Sequence, residues 1–378
     1  MKVLMTEIFL PESTYTLELG RELSKYVTLT VFCKKSVNNA SQQNSDPDNR
    51  IKWKNRFYAG GKGKLQAVLE YGTGLLALKK EIRCGKYDVV HVQSFKNATF
   101  EIPIYCRAKK YCRLLVHTVH NFLPHEAKEA DKKLYSDFYY TCDLLIVHNE
   151  YCKKLLIEKF GIEEKKIRVI PHGSYTLPVY KTDKSMFWQK KDETCKTTFL
   201  QFGIIRKYKG VDILLKSISM IPQDKRQNMR FIVAGAQLPK LDNTDYSAII
   251  KEYGIEDCVE LRTGHVPDEE VSRLFAEADF CLFPYRDIYG SGALLMAYTY
   301  GKPVIASDIP AFREETDNGS TGYLFESENT EALKEAVLHA EKWSAEEYKA
   351  CQNRISRLVH DKYNWSSSAK LLWEAYQE

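Results

Sequence analysis

The stretch Ala278–Asp308, ADFCLFPYRDIYGSGALLMAYTYGKPVIASD, decides the fold. A short apolar run ends at Pro284, a loop carries Tyr285, Arg286 and Asp287, and Tyr289-Gly290-Ser291-Gly292 opens a helix. That helix stops at Gly301, and Pro303 leads into a second apolar run. A buried strand, a helix and another buried strand in so short a span form a βαβ unit, whose strands run parallel. The same alternation extends in both directions. Strands are expected at Lys2–Met5, Val27–Phe32, Asp88–Val92, Leu114–Val119, Asp143–His148, Ile167–Ile170, Thr198–Gly203, Arg230–Ala234, Cys258–Leu261, Asp279–Pro284 and Pro303–Ala306. Helical periods lie between them, for example at Thr16–Lys25, Tyr151–Phe160, Val211–Ser219 and Asp268–Ala276. The pattern predicts an α/β protein with parallel sheets covered by helices on both faces.

The 378 residues suit about two domains at roughly 100 to 200 residues each. Polarity peaks and periodicity fades at residues 174–196, which are expected to link residues 1–173 to residues 197–360, with 361–378 as a closing helix. No run of apolar residues is long enough to span a bilayer, and the opening MKVLMTEIFLPES has acids within its apolar stretch, unlike a secretion signal. A cytoplasmic protein is expected. Ten cysteines are scattered without a CxxC pair, so reduced and mostly buried thiols are expected and no structural metal site is legible.

The net charge of +5 divides unevenly. Residues 1–180 hold 29 basic and 19 acidic side chains, and the remainder hold 26 and 31. The basic half suits an anionic partner such as a membrane surface or phosphorylated substrate, or is simply a soluble surface. Nucleic acid finds no recognition motif here. The polar stretch Ser36–Arg50 reads as a loop, followed by Lys52, Lys54, Arg56, Lys62 and Lys64 among Trp53, Phe57 and Tyr58, a basic and aromatic segment that either rests on an anionic bilayer or phosphorylated acceptor or is a solvated loop and helix face. Basic and apolar residues then mix with helical spacing from Lys62 to Lys86, a pattern compatible with an anionic bilayer.

Ligands of open α/β sheets bind at the carboxyl ends of strands, so the strand-to-helix junctions carry the chemistry. In FGIIRKYKGVDILL, a strand ends at Gly203 and a helix begins near Val211, leaving Arg206 and Lys209 on the loop between. Two cations three residues apart are either exposed turn residues or a grip on one diphosphate, with Arg forking over two oxygens and Lys acting as a point charge. Cations held in place would stabilise the charge that gathers on a leaving diphosphate. At Ser291-Gly292 the helix start offers backbone N–H groups and a hydroxyl to a phosphate, or serves as an ordinary cap. LLVHTVHNFLPHE brings His117, His120 and His125 close in sequence; alternation aims His120 at the carboxyl end, and the spacing matches no metal ligand set. In IRVIPHGSY, His172 and Gly173 turn the chain out of its strand.

Together these segments resemble the family 4 glycosyltransferases, and in particular polysaccharide-building members with PYR…SG at this place. The resemblance rests on PHG at His172-Gly173, on Gly203, Arg206, Lys209 and Gly210, on ADFCLFPY, on HNFLPHE, on GKPVIASD with Glu314 and STGYLF, and on the closing KYNWSSSAKLLWEAY. It implies the GT-B fold, two facing Rossmann-like domains with a carboxyl-terminal helix that returns to the first. It also implies hexose transfer from a UDP- or GDP-sugar to a saccharide or polyprenyl-linked acceptor with retention of configuration; no metal is expected, since two cations and a helix amino terminus can stabilise the leaving charge. Arg206 and Lys209 would hold the diphosphate and His120 would face the donor sugar. Gly203, Tyr285, Ser291, Gly292 and Glu314 would complete the donor site. The chain departs from the family's glutamate pair, whose positions hold Ile288 and Met296. That loss makes a noncatalytic sugar-nucleotide-binding subunit one alternative; a sugar-nucleotide epimerase is the other.

Overall fold

The computed structural model describes residues 1–8, 14–34, 50–57, 63–123, 129–175 and 196–378. Its contacts divide the chain into one unit of Met1–Gly173 with Lys362–Glu378 and a second of Ser174–Asp361. Most of the segment expected as a linker, and His125, lie outside the described residues.

In the first unit, β1 (Lys2–Glu7), β2 (Thr28–Lys34), β3 (Ile51–Phe57), β4 (Val89–Val92), β5 (Leu114–Thr118), β6 (Leu144–Val147) and β7 (Ile167–Val169) form a parallel sheet in the order β3-β2-β1-β4-β5-β6-β7. The inner strands are buried nearly end to end, because helices cover both faces and leave no side for polar residues. Asn97 and Asn149 cap the helices Ala98–Ala108 and Glu150–Phe160 by accepting from the amides of Thr99 and Cys152. Gly161 closes the latter with φ of 65°.

The eleven strands expected from sequence are present to within two residues at each end. The basic segment is a different matter. Ile51–Phe57 is a strand, not a loop and helix face, paired with β2 at the sheet edge. Its ends, Ile51 and Phe57, bury while Lys52 and Arg56 remain exposed, and charges of this kind keep an edge strand from pairing with another chain.

In the second unit, β8 (Thr197–Phe202), β9 (Met229–Ala234), β10 (Val259–Arg262), β11 (Phe280–Phe283), β12 (Val304–Ser307) and β13 (Gly322–Phe325) form a parallel sheet in the order β10-β9-β8-β11-β12-β13. From β8 the chain moves outward through β9 to β10, and from β11 it moves the other way. The carboxyl ends of β8 and β11 therefore flank the crevice where the winding direction reverses, the usual ligand position in such sheets. In the first unit the corresponding reversal lies between β1 and β4.

Of the described cysteines, all free, six are buried; Cys84 is exposed and Cys106 and Cys112 are half-buried, so the expectation of mostly buried thiols holds with those exceptions.

The helix Trp365–Ala375 belongs to the first unit. Trp365, Ala369, Leu372 and Tyr376 recur at helical spacing and enter the core formed by β1, β2 and the helix Thr14–Leu23. Ser368 donates to the Pro171 carbonyl at 2.6 Å, Arg113 donates to the Tyr376 carbonyl, and Asn364 caps the helix. A side chain at Gly173 would collide with the Trp365 ring, so only glycine allows this approach. Trp365→Ala is expected to cost the first unit about 3–5 kcal/mol. In denaturant unfolding of the full chain, the first unit's transition should move to lower denaturant while the second keeps its midpoint.

Candidate functional site

In the second unit, the junctions after β8 and β11 meet. The strand β8 runs out at Phe202, Gly203 adopts φ of 114°, and the turn Lys207–Lys209 leads into the helix Val211–Ser219. The Lys209 ammonium folds back over Gly203, where a Cβ would come within 2.8 Å of Nζ. The backbone angle calls for glycine, and its missing side chain leaves room for the cation above it. Lys209 is only 8% exposed, its carbonyl accepts from Gln201 Nε2 at 2.8 Å, and its Nζ sits 5.3 Å from the centre of the Tyr285 ring. Burial, and then the Arg206 charge, push its pKa down to about 8. No carboxylate among the described residues offsets these two effects. Among the described residues a half-buried arginine and a buried lysine thus lie together without a counter-charge, an arrangement that favours an anion.

The second junction locks the first in place. Arg286 forks over Asp212 with distances of 3.0 and 2.6 Å, donates to the Lys207 carbonyl at 2.6 Å and, through its backbone N–H, to the Tyr208 carbonyl at 2.8 Å. Gly210, with φ of 66°, lies so close to the Pro284 carbonyl that a Cβ would collide with it. Tyr285 is 1% exposed and packs between Tyr208, Phe283 and Phe312, so it supports Lys209 from below.

Ser291 caps the helix Gly292–Thr299, its hydroxyl accepting from the Leu294 amide at 3.2 Å. Its own backbone N–H donates to Glu315 at 3.0 Å. Gly292 lies beneath Tyr175, whose hydroxyl would be 2.5 Å from a Cβ there. Glu314 is half-buried, and the carboxylate that turns inward to this helix start is its neighbour Glu315, 6% exposed. Sequence reasoning passed over Glu315, although Ala311, Phe312, Glu315 and Thr316 share a buried face at helical spacing.

In the first unit, His120 follows β5, half-buried, with Nε2 3.1 Å from the Gln93 side chain and Nδ1 3.3 Å from His148 Nε2. The Tyr15 ring lies 4.7 Å from His120, 5.2 Å from His148, 5.0 Å from His172 and 5.2 Å from Trp365. Burial lowers the pKa of all three imidazoles, well below the ordinary value at His120 and to about 3 at His172. His172, read from sequence only as a turn residue, is a full member of this cluster, and His148 was not singled out at all. At the reversal between β1 and β4, the buried Glu7 accepts from Thr16 at 3.1 Å and from Ser94.

A further cavity of about 940 Å³ lies between β3 and the helix Lys64–Cys84. Lys2, Lys52, Lys54, Arg56 and Lys80 line it, with Glu81, which pairs with Lys54 and accepts from Tyr87, as the acid among its lining residues.

Two parallel sheets of this topology, each with polar groups gathered at its reversal point, are those of a GT-B glycosyltransferase. The model of glycosyl transferases group 1 matches residues 182–357, and that of glycosyltransferase family 4 matches residues 13–174. The chain belongs to the family 4 glycosyltransferases. Its sequence is 24% identical over 256 residues to the D-inositol 3-phosphate glycosyltransferase of Corynebacterium jeikeium, covering 62% of this chain and 57% of that one. It is 30% identical over 142 residues to the GDP-mannose:glycolipid 4-beta-D-mannosyltransferase of Xanthomonas campestris pv. campestris, covering 37% and 39%. The matches thus span little more than half, or less, of these relatives' lengths. Among solved structures, Anabaena HepE in complex with UDP and glucose aligns over 100% of both chains with a TM-score of 0.74 and 15% identity.

Arg286→Ala removes the fork on Asp212 and the hold on Lys207. Because the pair is partly solvent-exposed, stability should fall by only about 1 kcal/mol. The larger expected effect is local: amide exchange at Tyr208 to Gly210 should quicken, whereas unchanged exchange would show that the turn stands without its clamp.

Proposed function

We propose that the protein transfers a hexose from a nucleoside diphosphate sugar, UDP- or GDP-linked, to a saccharide or lipid-linked saccharide acceptor in surface polysaccharide synthesis, with retention of configuration. The observation that carries this reading is Lys209, held over Gly203 and beside Arg206, with no acid among the described residues to neutralise the pair. A diphosphate supplies the missing charge. As the glycosidic bond breaks, negative charge grows on the leaving phosphate, and cations already in place stabilise it without reorganising. They also take the part that a divalent ion plays elsewhere, so no metal is invoked. Ser291 and Gly292 are the proposed phosphate contacts at the helix start, with Tyr285 beneath Lys209. Glu314 is the proposed partner of a donor hydroxyl in place of the family's missing glutamates. His120 is assigned to the donor sugar. The leaving phosphate deprotonates the acceptor hydroxyl on the same face, which accounts for retention without a carboxylate nucleophile.

The UDP and glucose bound by the Anabaena protein, and the GDP-mannose and glycolipid in the Xanthomonas relative's name, support a nucleotide-sugar donor and a glycan or glycolipid acceptor. A membrane-bound acceptor is also favoured by the helix Lys64–Cys84, which leaves Leu65, Val68, Leu69 and Leu76 at least 62% exposed. These share the helix with the exposed Lys79, Lys80 and Arg83, and Lys80 near its carboxyl end also lines the basic cavity. We assign this surface to the headgroup region of an anionic bilayer, where apolar burial and charge attraction act together. No helix among the described residues is long and apolar enough to cross a membrane.

Replacing both Arg206 and Lys209 with alanine should lower transfer on the order of 10³-fold or more with the fold intact. Lys209 carries its charge below about pH 8 and loses it above, so wild-type kcat/KM for the donor should decline as pH rises through that value. A folded double variant at full rate would overturn the assignment. In vesicle flotation, the protein should rise with phosphatidylglycerol and not with phosphatidylcholine, less so at high salt, and Leu65→Ser with Leu69→Ser should weaken the effect. Equal binding to both lipids would exclude a charge-driven contact.

A further inference from the structure

Ring nitrogens and polar atoms form an unbroken row across the carboxyl ends of the first sheet. Tyr376 Oη is 2.6 Å from His91 Nδ1. His91 Nε2 is 2.8 Å from Thr118 Oγ1 and 3.3 Å from one end of the Gln93 amide. The other end of that amide is 3.1 Å from His120 Nε2, His120 Nδ1 is 3.3 Å from His148 Nε2, and His148 Nδ1 is 3.0 Å from the Ile170 carbonyl. His91 and Gln93 are fully buried, so the row has to satisfy itself.

A count of protons fixes its direction. A neutral imidazole has one N–H and one lone pair. The Ile170 carbonyl only accepts, so His148 Nδ1 carries its proton and His148 Nε2 accepts. His120 Nδ1 must then donate, which leaves the His120 Nε2 lone pair in need of a donor. Turning the Gln93 amide by 180° exchanges its nitrogen and oxygen, and the network decides between the two orientations. With Nε2 of Gln93 toward His120, every contact is matched: Gln93 donates to His120, His91 Nε2–H is shared between the Thr118 hydroxyl and Gln93 Oε1, and Tyr376 donates to His91 Nδ1. With the oxygen toward His120, the three contacts of His120 and His148 demand three protons on two rings, an imidazolium. The groups that act electrostatically on His120 are His148, His172, His117 and His91, with the Tyr15 ring against it and Glu7 acting on Tyr15. None of the groups acting on His120 is an acid that would hold such a charge in a buried site.

We propose that Gln93 and His148 are positioning residues that fix His120 as the neutral Nδ1–H tautomer, with its Nε2 lone pair available to accept a hydroxyl of the donor sugar. The proposal rests on the assignment of His120 to the donor. On binding, the sugar hydroxyl takes the place of the Gln93 N–H as donor to Nε2, and the amide turns to the hydroxyl or stays on His91. A donor bearing hydrogen where that hydroxyl stands would leave the lone pair to Gln93 and gain nothing from His120.

The test is a long-range proton–nitrogen NMR spectrum of the full chain labelled with ¹⁵N-histidine at neutral pH, His120 being assigned with His120→Asn. The expected spectrum has protonated Nδ1 and unprotonated Nε2 at His120; a protonated Nε2, or an imidazolium, overturns the proposal. This readout needs no donor, so it can fail while glycosyl transfer stands, and transfer can fail while the tautomer stands. His148→Phe removes the acceptor for Nδ1–H and should move His120 toward the Nε2–H tautomer, with donor kcat/KM falling roughly tenfold for one hydrogen bond. His148→Gln, whose oxygen accepts that proton, should restore both. A His148→Phe protein with the wild-type tautomer also overturns the proposal, and if that variant does not fold the wild-type spectrum decides alone.

Discussion

A buried ammonium with no counter-charge among the described residues is the constraint around which the second unit is arranged. Lys209 is held over a glycine, against the face of Tyr285 and beside a second cation, and this is unfavourable until an anion arrives. The neighbouring loop supplies the rigidity that such a position demands. Arg286 ties the Lys207–Lys209 turn to Asp212, and Gly210 lets that turn press onto the Pro284 carbonyl. Both loops arise where the sheet reverses its winding, so the topology that opens the crevice also brings its two walls into mutual contact.

The first unit has the same kind of sheet and uses its strand ends in the opposite sense. There the polar groups are imidazoles kept neutral by burial, joined to one another and to a buried glutamine instead of to charges. One unit concentrates uncompensated positive charge, and the other removes charge and fixes hydrogen-bond direction. In the proposed transfer, electrostatic pull and geometric discrimination are separate tasks, and each is given its own sheet.

Most of the fold was legible because fully buried parallel strands write themselves as apolar runs and helices as a different period. The strand β3 was hidden because its edge position is guarded by Lys52, Lys54 and Arg56, and lysines alternating with aromatics resemble a solvated surface. The cations Arg206 and Lys209 were legible because strand end, glycine and helix start fall within a few residues. What the sequence could not convey was their burial, which depends on Tyr285 and Pro284 far along the chain. Glu315 was missed for its neighbour Glu314 because proximity to a motif was weighed and helical facing was not. His148 and His172 each follow a strand, as His120 does, but only the strand order β5-β6-β7 makes them neighbours.

The return of Trp365–Ala375 to the first unit bears on how the molecule comes into being. The second unit is one continuous stretch and can close while the chain is still being made. The first has to wait with part of its interior open, since Trp365, Leu372 and Tyr376 are translated only after the whole of the second unit. During that interval β1 and the helix Thr14–Leu23 present an uncovered apolar surface of the sort that chaperones recognise. The order of synthesis is therefore the reverse of the order of completion, and the half that starts first finishes last.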